Sequence, residues 1–312
     1  MGAARLNGER AGHRFDRGFR VAFPGSGDTA APAPAPARRH IWLCADDYGI
    51  SASVNTAIRD LLARGRINAT TVMVAAPSFH RTEALSLASL TGGERRIAIG
   101  LHVTLTVPFA PLSAGFAPLR DGAFLPLATL LSRAMQHRLK PDLLAIEIAD
   151  QVRMFAHHFG RAPDFIDGHQ HVQLFPQIRD AVLKVAKELA PDAWVRQCGS
   201  AVPLTSRLGD RKSLLVDFLS RGFRNRAQAL GVRTNPAFAG TYHFHDQADF
   251  AAMFPRFLDR LPDGSVVMCH PGIVDAELRR LDPLTTLRER EYAYFLDDAF
   301  PAVLASHGVA LA

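Results

Sequence analysis

The stretch HIWLCADDYG, residues 40–49, indicates the fold and the chemistry of this chain together. Its first half is a continuous apolar run, which is typical of a strand buried on both faces of a parallel sheet. The run stops at two adjacent carboxylates, Asp46 and Asp47, followed by a glycine that permits a turn. The stretch therefore predicts a buried strand that delivers acidic side chains to one edge of a sheet.

Three further apolar runs end in the same way. They lead into His102 of GLH (100–102), His169 and His171 of DGHQH (167–171) and His270 of CHPG (269–272). Barrel enzymes place their active-site residues at the carboxyl ends of parallel strands. The four runs predict that these side chains meet at one rim.

Helix and strand patterns alternate between the motifs, as in ISASVNTAIRDLLARG (50–65), NATTVMVA (68–75) and SFHRTEALSLAS (78–89). The first helix has two candidate N-caps, Ser51 and Ser53. The order strand, helix, strand, helix predicts an α/β fold with a parallel sheet. The length and the 48% hydrophobic content suit a single barrel-sized domain.

The positive net charge of +6 is concentrated at the N-terminus. Residues 1–39 hold seven arginines and the run APAPAPA (31–37), which predicts a disordered tail ahead of a domain spanning 40–312. Scattered arginines without interleaved aromatics are weak evidence for nucleic-acid binding, and none is expected. A binding role for this arm remains the non-enzymatic alternative.

The sequence has no apolar stretch of the roughly 20 residues that a bilayer span needs, and no secretory signal pattern. We therefore expect a cytoplasmic protein. The three cysteines lack metal-binding spacing and are expected to be buried and reduced. The oligomeric state is open, with a homodimer as one possibility.

The carboxylate pair has a structural and a catalytic interpretation. As a structural feature it would cap the following helix, while His102 would be a core histidine and His169 and His171 would share one strand face. As a catalytic feature, both carboxylates must face one pocket, which requires a break from extended geometry that Gly49 could supply. Asp47, His102 and His169 would then form a two-histidine, one-carboxylate metal site.

In that interpretation the metal would polarise a carbonyl and lower the pKa of bound water. Asp46 would act as the general base and His270 as the acid that protonates a leaving amine. Two imidazoles and one carboxylate suit Zn²⁺, Co²⁺ or Mn²⁺.

The motifs ADDYGIS (45–51), GLHVTLT (100–106), DGHQHVQLFPQI (167–178) and MCHPG (268–272) resemble the YdjC-like carbohydrate deacetylases, in order and spacing, over residues 40–275. The resemblance implies a divergent (β/α) TIM-like barrel of mostly parallel strands. It implies a hydrolase that removes the N-acetyl group from an amino sugar or glycoconjugate, with Mg²⁺ as the usual ion and metal-bound water as the nucleophile. It assigns Asp47, His102 and His169 as ligands, Asp46 as base, and His270 as acid or substrate contact.

Two positions depart from the family pattern. Gln173 stands where many relatives have a third histidine, so metal affinity or substrate choice is expected to differ. Asp167 stands where the hopanoid-associated branch usually has asparagine, so no hopanoid substrate is assigned.

Substrate contacts are predicted at Arg196, His171 and Tyr48. Arg196 equally suits an ion pair at the rim. A rival enzymatic interpretation keeps the barrel but changes the reaction to another amide or a phosphoester, since a fold does not fix a function.

Overall fold

A computed structural model of the chain describes residues 38–93, 95–201, 211–245 and 247–312. Strand β1, Arg39–Tyr48, lies in the middle of its sheet and is buried from Ile41 onward. It pairs in parallel with β2 on one side and with β7 on the other. This position, covered on both faces, explains the continuous apolar run that precedes Asp46.

The strands run in the spatial order β5-β4-β3-β2-β1-β7-β6, and all the pairings are parallel. Strand β8 lies beside the N-terminal half of β1. Two single bridges, Val195 with Thr234 and Ser200 with Phe238, link the segments at the two ends of this order. The remaining strands are β2 (Ala69–Val72), β3 (Ala98–Val103), β4 (Phe165–Gly168), β5 (Trp194–Val195), β6 (Phe238–Ala239), β7 (Ser265–Cys269) and β8 (Val309–Leu311).

Helices separate the strands, as the alternating patterns predict. They are α1 (Ala52–Ala63), α2 (Arg81–Ala88), α3 (Leu127–Met135), α4 (Pro141–Phe159), α5 (Ile178–Leu189), α6 (Arg211–Leu230), α7 (Phe250–Phe257), α8 (Ala276–Leu281), α9 (Thr286–Leu296) and α10 (Phe300–Ser306). Of the two candidate caps of α1, Ser51 is the N-cap, and its side chain accepts from the Val54 amide.

The predicted divergent (β/α) barrel of mostly parallel strands is confirmed. Its divergence lies in β5 and β6, which are two residues long each, and in β8, which covers only Arg39–Ile41 of β1. One contiguous core, built from the strands and the inner faces of the helices, fills the domain. All three cysteines are buried and unpaired, as expected.

The predicted tail boundary is one residue too late. Arg39 pairs with Val309 of β8, and its guanidinium donates to the carbonyl of Leu261 at 2.9 Å and to that of His307 at 2.5 Å. Arg39 therefore belongs to the sheet. Arg38 is exposed, and the remaining residues of the predicted tail, 1–37, lie outside the described residues. Among the described helices, none is both long and apolar enough to cross a membrane.

Candidate metal centre

Strand register brings the four motifs to one rim. His102 on β3 is directly opposite Asp167 on β4, and Ala45 on β1 is opposite Cys269 on β7. The residues that follow these pairs therefore emerge side by side at the carboxyl ends of the strands. This is the edge at which barrel enzymes assemble their sites.

The turn at Asp46 and Asp47 explains how adjacent carboxylates reach one cavity. Asp47 has a φ of 71°, in the left-handed region, and the pairing of β1 with β2 is irregular between Ala45 and Tyr48. Aspartate tolerates this conformation better than most residues. The sequence places the required break at Gly49, but it occurs at Asp47 itself, with Gly49 continuing it at a φ of 105°.

Asp47, His102 and His169 form a buried group whose ligand atoms all lie within 4.8 Å of one another. Oδ1 of Asp47 is 3.0 Å from Nδ1 of His169 and 3.3 Å from Nε2 of His102. The structure thus brings together the three predicted ligands in the manner that a two-histidine, one-carboxylate site requires.

The interpretation that His169 and His171 share one face of a strand is wrong. Strand β4 ends at Gly168, and His169–Leu174 forms a 3-10 segment in which Gln170 and His171 have left-handed backbones. His169 still reaches the centre, and His171 lines the cavity beside it. A local turn, rather than strand alternation, therefore directs both rings.

A second layer of residues holds His102. Its Nδ1 lies 2.5 Å from Oδ1 of Asp167 and 3.1 Å from the Thr71 hydroxyl. A carboxylate on Nδ1 fixes the tautomer, so Nε2 is the nitrogen presented to Asp47. Lone pairs on Nε2 and on the Asp47 carboxylate then face each other, and a proton or a metal cation has to lie between them.

The predicted substrate contact for Arg196 is corrected by the structure. Its guanidinium is fully buried and donates to both oxygens of Asp46, at 2.9 and 2.6 Å. The same group lies 2.5 Å from Oδ2 of Asp167. Arg196 therefore forms an ion pair in the interior, rather than at the rim, and braces two carboxylates from behind.

Tyr48 is also not a substrate contact. Its side chain is buried on the far side of the turn, where the hydroxyl donates to Glu83 at 2.7 Å and accepts from Arg59 at 2.8 Å. It does not line the cavity that contains Asp46 and Asp47. Successive residues of a strand point to opposite faces, and Tyr48 follows that rule after the break.

Arg288 is part of the centre, although no sequence motif points to it. It lies on α9, is fully buried, and donates to Oδ2 of Asp47 at 2.6 Å and to Oδ2 of Asp282 at 3.0 Å. An arginine in the helical stretch TLRERE resembles an ordinary surface residue. Only the tertiary structure joins it to Asp47, from which it is separated by 241 positions in the chain.

The charges of the cluster favour a divalent cation. The cluster contains four carboxylates (Asp46, Asp47, Asp167 and Asp282) and two guanidiniums (Arg196 and Arg288). When His102 and His169 are neutral, as metal ligands must be, two formal negative charges remain at this mostly buried site. Buried charge is costly unless it is compensated. A single divalent ion at Asp47, His102 and His169 would neutralise the cluster, so the residues present fit such an ion.

In the absence of an ion, the opposite charges of the cluster set the pKa values of its members. Burial raises the pKa of Asp46, but Arg196 and His102 outweigh it and lower that pKa to about 2. Burial also raises the pKa of Asp47, but the charges of Arg288 and His169 outweigh it and hold that pKa well below its ordinary value. Burial lowers the pKa of His102, yet Asp167 raises it to about 10. Opposite charges therefore decide the protonation of this site, and both aspartates are ionised at neutral pH.

His270 lines the same cavity and is held through its backbone. Its amide donates to the buried Glu291 at 2.5 Å, and its ring packs edge-on against Phe244 with 5.4 Å between ring centroids. Burial lowers the pKa of His270 to about 4, and its Nδ1 lacks a hydrogen-bond partner among the described residues. The imidazole is therefore neutral at neutral pH, and its Nδ1 is available to a group that enters the cavity.

The cavity above the centre has a volume of about 360 Å³. That volume falls in the size range of small-molecule sites. Its wall combines the polar residues of the centre with an apolar side. The lining comprises Asp46, Asp47, His102, Leu127, Gly168, His169, Gln170, His171, Phe244, Met268, His270, Asp282, Pro283, Leu284, Thr285, Leu287 and Arg288.

Gln173, the departure from the family pattern, is behind this wall. It is fully buried, and its amide donates to the carbonyl of Arg196 at 3.1 Å. It is absent from the cavity lining. Gln173 therefore contacts the backbone of Arg196, directly after β5, and does not touch the cavity itself.

Comparison with known proteins identifies the family. The model of the YdjC-like proteins matches residues 40–306. The chain belongs to the YdjC-like family. It is 27% identical to a chitooligosaccharide deacetylase of Escherichia fergusonii and 28% identical to one of Citrobacter koseri, each over 240 residues that cover 76% of this chain and 82% of the relative.

A solved structure with a similar fold comes from Enterococcus faecalis and is described as a candidate cellobiose-phosphate cleavage protein. It superimposes with a TM-score of 0.68 at 20% identity, covering 88% of this chain and 97% of its own. At that identity the likeness concerns the fold. It agrees with the barrel observed here.

Proposed function

We propose that this chain is a metal-dependent carbohydrate deacetylase that hydrolyses the N-acetyl group of an amino sugar or glycoconjugate, releasing acetate and a free amine. The observation that carries the proposal is the placement of Asp47, His102 and His169 around one point, with Asp46 beside them in the same cavity. The family relatives named as chitooligosaccharide deacetylases support the substrate class.

Asp47, His102 and His169 would hold the ion. When bound, a divalent cation supplies a Lewis acid for the acetyl carbonyl and lowers the pKa of water. The two imidazoles suit Zn²⁺, Co²⁺ or Mn²⁺, and family resemblance favours Mg²⁺. Asp167 keeps Nε2 of His102 directed at the centre, because it accepts from Nδ1.

Asp46 is assigned the role of general base. It is ionised at neutral pH because Arg196 and His102 hold its pKa at about 2 despite burial. Its carboxylate would accept a proton only from a water whose pKa is strongly lowered, as a cation held by Asp47, His102 and His169 would lower it. Arg196 fixes both oxygens and prevents the carboxylate from rotating out of line.

His270 is assigned the role of general acid, which donates a proton to the nitrogen of the leaving amine. It has no carboxylate on its ring, and burial keeps it neutral in the resting site. It would receive the proton within the catalytic cycle and pass it to the amine. His171, at the cavity wall, is assigned a substrate contact. We place the enzyme in the cytoplasm, as a monomer or homodimer, and assign no role in the reaction to residues 1–37.

The test is acetate release from a panel of N-acetylglucosamine compounds by metal-reconstituted protein. Wild type is expected to release acetate, and Asp46→Asn and His169→Ala are expected to lose at least about 100-fold in kcat/KM, the scale of a lost acid-base or ligand group. His157→Ala is the matched control, because His157 is exposed on α4 and away from the cavity.

Release by Asp46→Asn at the wild-type rate would contradict the assignment of Asp46 as the base. No release by any of the proteins, with no metal bound, would favour the binding-module alternative. Metal bound at one site without release from any compound would move the assignment to another amide or a phosphoester.

A further inference from the structure

Arg288 has more contacts than an ordinary buried ion pair. Nη2 donates to Oδ2 of Asp47 at 2.6 Å and to Oδ2 of Asp282 at 3.0 Å, and Nε donates to the carbonyl of Leu284 at 3.0 Å. The backbone carbonyl of Arg288 accepts from the amide of Gly272, in the segment that follows His270. One residue of α9 therefore joins a predicted metal ligand, a cavity wall and the segment that follows His270.

The two oxygens of Asp47 have different partners. Oδ1 lies 3.0 Å from Nδ1 of His169 and 3.3 Å from Nε2 of His102, and the ion would lie among these three atoms. Oδ2 lies 2.6 Å from Nη2 of Arg288. A carboxylate whose second oxygen is held by a charged donor offers one oxygen to a cation. Arg288 thus leaves Asp47 with one oxygen, Oδ1, to coordinate an ion.

The same guanidinium positions the cavity wall. Asp282 and Leu284 both line the cavity, and both are bonded to Arg288. Nη1 of Arg288 is buried without a hydrogen-bond partner among the described residues.

We propose that Arg288 is a positioning residue that keeps Asp47 a one-oxygen ligand, so that a coordination position stays open for the substrate carbonyl. The inference rests on the proposed function, because it needs an ion at Asp47, His102 and His169. Arginine suits this role because its permanent charge occupies the second oxygen at every working pH and offsets the negative charge of the cluster.

The test compares wild type, Arg288→Met and Arg288→Lys as metal-free proteins titrated with Co²⁺. Methionine releases Oδ2 of Asp47, whereas lysine retains a charged donor to it. In Arg288→Met we expect the second oxygen to join the ion, which raises the coordination number and weakens the visible d–d absorption of Co²⁺. The site also becomes one charge more negative, so the Co²⁺ affinity should stay within about threefold of wild type or increase.

The catalytic activity of Arg288→Met should fall although its Co²⁺ affinity does not. We expect kcat/KM of Arg288→Met for acetate release to fall by roughly 10–100-fold, the usual effect of losing a residue that supports a metal ligand. Arg288→Lys should keep the wild-type spectrum and most of the activity. If Arg288→Met does not fold, Arg288→Gln, whose shorter amide does not span both carboxylates, is measured in the same way.

A merely structural role predicts a different result. Arg288→Met would then lose Co²⁺ affinity in parallel with its thermal stability and keep the shape and intensity of the wild-type spectrum, which would overturn the inference and leave the proposed function intact. Wild type that binds no Co²⁺ would overturn both. The spectrum, which does not depend on turnover, separates the two failures.

Discussion

At the level of single residues, the site depends on one unusual backbone turn. Asp47 with a φ of 71° and Gly49 with a φ of 105° redirect the chain so that two neighbouring carboxylates face one cavity. The sequence predicts that a break is needed but places it at the glycine, because glycine is the residue that most readily adopts a positive φ. Which of two nearby positions turns first depends on packing that the sequence does not reveal.

Gly49→Ala tests this turn. A Cβ at Gly49 would lie 2.9 Å from Cβ of Phe79 and 3.0 Å from the carbonyl of Met73, in a backbone conformation that alanine avoids. Strain and overpacking together should lower the free energy of unfolding by about 2–4 kcal/mol, measured by urea denaturation. Gly115→Ala is the control, since its φ of 79° is also positive but its Cβ would meet nothing within 4 Å. Equal losses in the two variants would show that φ alone, and not the contacts at the turn, sets the cost.

At the level of helices and strands, the sequence is most informative about strands and least about the segments that support them. The apolar runs identify β1, β3, β4 and β7, because a strand covered on both faces has to be apolar throughout. Arg288, by contrast, is on a helix whose sequence is polar and offers no signal. The sequence singles out Arg196 but not the direction of its side chain, because an arginine at a strand end suits both solvent and interior.

The segment between β3 and α3 shows the same limit. Glu147 of α4 is fully buried and accepts from the amides of Leu112 and Ser113 at 3.1 and 2.8 Å and from the Ser113 hydroxyl at 2.6 Å. The segment also carries Phe109, whose ring packs edge-on against His169 with 5.9 Å between ring centroids. A helix on the outside of the barrel therefore fixes a loop that touches a predicted ligand.

Glu147→Ala should release this loop. The amide of Leu112 and the buried amide and hydroxyl of Ser113 would lose their acceptor, which should lower the free energy of unfolding by about 3 kcal/mol and expose residues 104–125 to limited proteolysis. Asp150→Ala, on the same helix, removes only a surface pair with Arg153 and should cost at most about 0.5 kcal/mol. An unchanged cleavage pattern in Glu147→Ala would show that other contacts hold the loop.

At the level of the whole molecule, the domain begins where the sheet requires it to begin. Arg39 pairs with β8, and its guanidinium reaches the carbonyls of Leu258 and Leu261 at 3.3 and 2.9 Å, far along the chain. The composition of residues 1–39 predicts a boundary, since a Pro/Ala/Arg-rich stretch buries little apolar surface. Composition does not identify the last residue of such a stretch that the fold uses.

Two truncations test the boundary and the rival function together. Removal of residues 1–37 should leave the urea midpoint, Co²⁺ binding and acetate release unchanged within about 0.5 kcal/mol of stability, because Arg39 keeps its pairing with β8 and its hydrogen bonds. Removal of residues 1–41 takes away the whole pairing of β1 with β8 and the Arg39 hydrogen bonds, and should prevent folding or cost several kcal/mol. If the shorter truncation folds and binds Co²⁺ but no longer acts, the basic arm has a role in function, and the alternative of a binding module regains support.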